Sequence, residues 1–132
     1  HFQKLIHTRA FLEWARVHDH YYGTAKDEVL NRLGTGNVLL NIDVQGGLQV
    51  QKKFPDAILI FLKPLSLTEL KRRLENRHAK LTPGEMAVRL RNVRREMRLG
   101  HNYTYSIVNP DGYLEETIRA VITIIDGRPK NH

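Results

Sequence analysis

Leu39-Leu-Asn-Ile-Asp-Val-Gln-Gly46 is the stretch from which the rest of the chain is read. Residues 38–42 are apolar enough for a short buried strand. Polar groups follow at its carboxyl end, where open parallel sheets collect their ligands. Residues 45–54 carry on as a helix that Pro55 ends, and residues 57–62 (Ala-Ile-Leu-Ile-Phe-Leu) are a second apolar run of strand length, broken by Pro64. Strand, helix, strand in this order predicts an α/β fold, a parallel sheet layered with helices.

Upstream, the pattern predicts a helix over 2–7, strands over 10–17 and 21–23, and a helix over 26–33 stopped by Gly34. Strand alternation places Glu13 on one face with Phe11 and Ala15, and Leu12 and Trp14 on the other. Downstream, Ser66 with Glu69 forms a capping box that opens a helix to about Arg77. Thr82-Pro-Gly-Glu85 repeats that signature and opens a helix to about Leu99. Residues 105–108 read as a third buried strand. The turn Asn109-Pro-Asp-Gly112 precedes a closing helix over 114–125, with apolar positions at 114, 118, 121, 122 and 125.

The 132 residues suffice for one domain with no separate linker. Without cysteine, without an apolar run near ~18 residues and without a charged-then-apolar leader, a soluble cytoplasmic protein with no membrane partner is expected. Residues 71–98 hold ten basic and three acidic side chains, so the whole net charge of +7 lies there. Such a run invites an anion. No nucleic-acid partner is expected, because no aromatic stacking platform accompanies the charge. The seven histidines form no metal pattern: His18 and His20 flank Asp19 with no third ligand at useful spacing, so no metal site is expected.

None of the nine glycines belongs to a G-x-x-x-x-G-K-[ST] loop, the arrangement that cradles nucleotide phosphates with backbone N–H groups and a lysine. Gly34-Thr-Gly36 and Gly46-Gly47 come nearest, and neither is followed by Lys-Ser or Lys-Thr. Because the chain opens on His1 and its only methionines are Met86 and Met97, a truncated or partly observed protein is expected.

In order and spacing, Phe11-Leu-Glu-Trp-Ala-Arg-Val-His-Asp-His-Tyr-Tyr-Gly-Thr24 and the 39–46 stretch resemble the guanylate kinase family, enzymes that move the terminal phosphoryl group of ATP onto GMP. The resemblance runs from Phe2 to about Ile125. It implies a three-layer P-loop kinase-like parallel sheet with a small GMP-binding β region, a helical lid and the first core strand missing. The corresponding divisions are residues 1–34 for GMP binding, 35–70 core, 71–99 lid and 100–132 core.

For GMP the resemblance implies Glu13, Tyr22, Gly23, Thr24 and Asp43. A carboxylate at Glu13 would accept the guanine N1–H and N2–H2 pair that adenine lacks. Tyr22 would donate to the GMP phosphate, Gly23 would allow close approach, the Thr24 hydroxyl would reach guanine O6, and Asp43 would face the base. Thr24 is also placed to cap the following helix. Arg73, Arg77 and Arg89 match the lid arginines that neutralise the transferred phosphoryl group, and Asn109 matches an adenine contact. Arg91, Arg94, Arg95 and Arg98 have no such match and are read as solvated.

The implied small molecules are GMP/GDP, ATP/ADP and Mg2+, and the process is purine nucleotide metabolism. Asn41 stands where family members usually carry an acid near the magnesium, so retention of the metal does not follow. His78-Ala-Lys-Leu-Thr-Pro83 departs from the family's short Gly-Thr-acidic stretch by about one residue. A sheet lacking its first strand exposes backbone and apolar faces. Self-association, re-pairing or a complementing N-terminal segment would cover them, and the chain alone is expected to be inactive. The other reading is a catalytically inert guanylate-kinase-like domain that binds phosphopeptides or proteins at the acceptor site.

Overall fold

The computed structural model describes residues 1–17, 19–77 and 81–127. His18, one of the paired histidines, and residues 78–80 of the lid alignment lie outside the described residues. The chain forms two compact units, residues 1–59 and residues 60 onward.

In the first unit the order is α1 (Phe2–His7), β1 (Phe11–Val17), β2 (His20–Ala25), α2 (Lys26–Leu33) and α3 (Val44–Lys53). β1 and β2 pair antiparallel, with Glu13 opposite Thr24, Trp14 opposite Gly23 and Ala15 opposite Tyr22. Val17 stands opposite His20, and Asp19 takes a left-handed φ of 66°, a conformation that Asp tolerates better than most residues.

The alternation expected along β1 fails at one place. A register shift between Phe11 and Glu13 inserts an irregularity, and Leu12 and Glu13 are both buried although they are neighbours. A bulge adds a residue to one strand and so moves the side chains before it to the other face. Leu12 then enters the core with Val29 and Val50, while Glu13 keeps the face of Ala15 and Val17.

Residues 38–42, expected as a strand, carry no ladder. Their burial still alternates, with Val38, Leu40 and Ile42 half-buried against the Leu12 core and Leu39 81% exposed. A strand requires a hydrogen-bonded neighbour, and no described strand pairs with this segment, so the pattern survives as packing alone. α3 follows because Asp43 caps it, its carboxylate accepting the N–H of Gly46 at 3.0 Å and of Gln45 at 3.3 Å.

The second unit runs β3 (Ile60–Lys63), α4 (Leu67–Arg77), α5 (Pro83–Gly100), β4 (Tyr105–Val108) and α6 (Leu114–Gly127). β3 and β4 pair in parallel, as the strand-helix-strand order requires. Thr82 and Glu85 form the reciprocal capping box that opens α5. The far end of α5 lies so close to β3 that a Cβ on Gly100 would stand 2.5 Å from the Phe61 ring.

Two expectations change in this unit. β4 is not buried, since Tyr105 and Val108 are 44% and 39% exposed in a sheet of two strands. α6 forms, but Leu114, Ile118, Ile122 and Ile125 of its apolar stripe are exposed.

Candidate functional site

In the first unit the side chains of interest gather where β1, β2 and the start of α3 meet. Glu13 is 4% exposed. Its Oε1 accepts the Thr24 hydroxyl at 2.5 Å across the hairpin. Its Oε2 lies against Gly46, closer than a Cβ at that position would allow, and Asp43 Oδ1 would stand 3.0 Å from the same Cβ. One glycine therefore lets two carboxylates approach the first turn of α3, where backbone N–H groups and the positive end of the helix dipole offset their charge. Thr24 does not cap α2: the N-cap is Ala25, with no side-chain cap bond, and the hydroxyl is spent on Glu13.

Tyr22 is 58% exposed, its phenol in solvent. A Cβ on Gly23 would lie 2.8 Å from the Phe11 ring, so the close approach made there is to an aromatic neighbour. Tyr21 packs as an aromatic, its ring centroid 5.2 Å from Phe2 and 6.3 Å from Trp14. Asn41 is exposed.

Sequence reasoning missed Gln49 and Lys53. The Gln49 amide accepts from the Trp14 N–H at 3.1 Å and donates to the Trp14 carbonyl at 2.7 Å, and Lys53 Nζ donates to the Leu12 carbonyl. These are the outward-facing groups of β1. The helix that Asp43 caps thus also seals the edge of the strand that carries Glu13, and no local pattern signals a contact over 35 residues.

In the second unit Arg73 is the centre of a network. Its guanidinium donates to Glu69 Oε1, to Asp111 Oδ1 and to the Asn109 carbonyl. Arg72 donates to the other Asp111 oxygen at 2.6 Å. Glu69 Oε1 also accepts the Asp111 N–H at 3.2 Å. Partial burial raises the Asp111 pKa, but the hydrogen bonds and positive charges of Arg73 and Arg72 outweigh it, leaving the carboxyl below its ordinary 3.8.

Asn109 accepts the Thr117 hydroxyl at 3.0 Å through Oδ1, and its N–H bonds the Lys63 carbonyl at 2.8 Å. Arg77 is exposed and Arg89 half-exposed. No three His, Asp or Glu side chains gather as a metal site among the described residues.

The family model described as guanylate kinase matches residues 1–128. The chain belongs to the guanylate kinase family. It is 42% identical over 123 residues to the guanylate kinase of Caldanaerobacter subterraneus subsp. tengcongensis, covering 92% of this chain and 59% of that relative. It is 42% identical over 132 residues to the guanylate kinase of Fusobacterium nucleatum, covering 98% and 69%. Its fold is similar to the crystal structure of guanylate kinase from Anaplasma phagocytophilum, with a TM-score of 0.75 and 26% identity over 95% of this chain and 59% of that one. The chain therefore spans about three fifths of the length of guanylate kinases it matches. As the resemblance implied, it is a guanylate kinase-type α/β chain, and no described helix is long and apolar enough to cross a membrane.

Proposed function

We propose that residues 1–132 carry the GMP-reading side and the phosphate-facing arginines of a cytoplasmic guanylate kinase, whose reaction is ATP + GMP to ADP + GDP. The observation that supports this most is the Glu13–Thr24 pair beside Asp43. A buried carboxylate needs donors, and guanine brings two adjacent ones that adenine does not. With no base present, the Thr24 proton holds Glu13 Oε1. When guanine enters, its N1–H and N2–H take over the Glu13 acceptors, and Thr24 rotates to give its proton to O6. Asp43 faces the base while capping α3, and exposed Tyr22 donates its phenol to the GMP phosphate, whereas the space that Gly23 leaves is taken by the Phe11 ring.

In the second unit Arg77 and Arg89 would hold phosphate oxygens through bidentate forks. Arg73 would join them only by leaving Asp111. Asn109, with Oδ1 committed to Thr117, would offer its amide nitrogen to adenine. Mg2+ accompanies ATP in the family and neutralises phosphate charge there. At the corresponding position this chain presents the neutral amide of Asn41, which fits a magnesium contact poorly. Residues 1–132 contain no glycine-rich donor-phosphate loop, so the expected activity of these 132 residues alone is GMP binding with little turnover.

Titration calorimetry of the chain with GMP and with AMP tests the reading. GMP is expected to bind and AMP to bind much more weakly. Glu13→Gln should weaken GMP about 10- to 100-fold, the loss of a charged acceptor to two donors. Equal affinity for the two nucleotides, or an unaltered Glu13→Gln variant, would refute it.

A further inference from the structure

Four arginines that the nucleotide site does not use recur along α5. Arg91, Arg94, Arg95 and Arg98 are all exposed and follow the spacing i, i+3, i+4, i+7. At 3.6 residues per turn they occupy an arc of roughly 100° over ~10 Å of helix. Both acids of the helix, Glu85 and Glu96, lie roughly 80° or more away from each of the four, and Arg89 lies roughly 120° or more away.

Every neighbouring pair within the arc is a like-charge pair: 91 with 94, 91 with 95, 94 with 98, and 95 with 98. Such pairs weaken a helix, whereas a glutamate four residues earlier would strengthen it. None of the four takes part in an ion pair among the described residues. Arg72 and Arg73 in the same unit, by contrast, are neutralised by Asp111 and Glu69. Alternating signs along a face are the mark of a solvated, salt-bridged helix. This one separates them and bears the repulsion.

We propose that this arc docks the phosphate backbone of a double-stranded nucleic acid. Guanidinium forks match phosphate oxygens in geometry as well as charge. The other exposed positions in the arc are Gly84 and Ala87, with Pro83 and Val88 at its margins. No long apolar or aromatic side chain is there to enter a bilayer or to stack on unpaired bases. What remains is backbone contact that positions without reading sequence. The missing aromatic platform, which argues against a base-reading role, does not bear on a contact of this kind.

Fluorescence anisotropy of the 132-residue chain with a short labelled DNA duplex tests the proposal. Four neutralised phosphates predict a salt slope of about −3.6, so affinity should fall about 150-fold between ~50 and ~200 mM salt. The variant R91Q/R94Q/R95Q/R98Q should lose that dependence. The pairs R91Q/R95Q and R94Q/R98Q should each lose about half of it, and they carry the test if the fourfold variant fails to fold by circular dichroism. No duplex binding by the parent chain, an unchanged slope in both pair variants, tighter binding of the matching single strand, or tighter binding of phosphatidylserine vesicles than of the duplex would each overturn it.

Discussion

A methyl group at position 46 has no room. It would overlap Glu13 Oε2 and stand 3.0 Å from Asp43 Oδ1. Glu13 is 4% exposed, so its carboxylate has no solvent to swing into without breaking the bond to Thr24. Gly46→Ala is therefore expected to destabilise the first unit by about 1–3 kcal/mol, as overpacking does. It should weaken GMP binding at the same time, because the groups displaced are those proposed to read the base. Urea unfolding followed by the single tryptophan, Trp14, together with GMP titration checks both effects. An unchanged midpoint and affinity would show that the first turn of α3 yields without moving Glu13.

α3 has two tasks, and only one is written in its local sequence. Its N-terminus carries Asp43, and further along Gln49 and Lys53 satisfy Trp14 and Leu12 on the open edge of β1. Gln49→Leu keeps the side chain's bulk but leaves two peptide groups without their partner, at an expected cost of about 1–3 kcal/mol. Amide exchange at Trp14 should quicken accordingly. If it stays as slow as in the parent chain, the edge is protected by something other than this side chain. Local signals served well elsewhere: Thr82 and Glu85, within one turn of each other, mark the start of α5, and the helix over Lys26–Leu33 falls where its periodicity places it. Features that depend on distant residues were not legible. The bulge before Glu13 depends on pairing with β2, residues 38–42 form no ladder without a neighbour, and, of the partners of Arg73, Asp111 lies 38 positions away. The same holds for the site. The resemblance to the guanylate kinase family pointed to Glu13, Thr24 and Asp43 as the proposed base-reading groups, but the glycine between the carboxylates and the clamp behind them required the fold.

For the molecule as a whole, charge makes pH the lever to pull. With 21 lysines and arginines against 14 acids, acidification removes the minority sign and raises self-repulsion everywhere. Among the described acids Asp111 has a specific part in this. Its pKa is lowered from 3.8 because the Arg73 and Arg72 guanidiniums outweigh the effect of burial. A carboxyl whose folded pKa lies below its unfolded one binds more protons when unfolded. Its stabilisation is therefore fully present above about 3.8 and is lost as the pH falls through the lower folded value. Protonation would weaken the bonds from Arg72 and Arg73 together, loosening α4 from the turn before α6, which the Asn109 carbonyl and the Asp111 N–H still tie to Arg73 and Glu69. The second unit should thus lose stability on acidification below pH ~4 more steeply than general repulsion requires. Asp111→Asn isolates that part: the variant should be less stable than the parent at pH 7, and the gap should close as the parent's carboxyl protonates. Urea midpoints for both proteins across this range, read by helical circular dichroism, check it. A gap that stays constant into acid would mean that the carboxyl's charge contributes nothing and that its hydrogen-bonding shape alone holds the arginines.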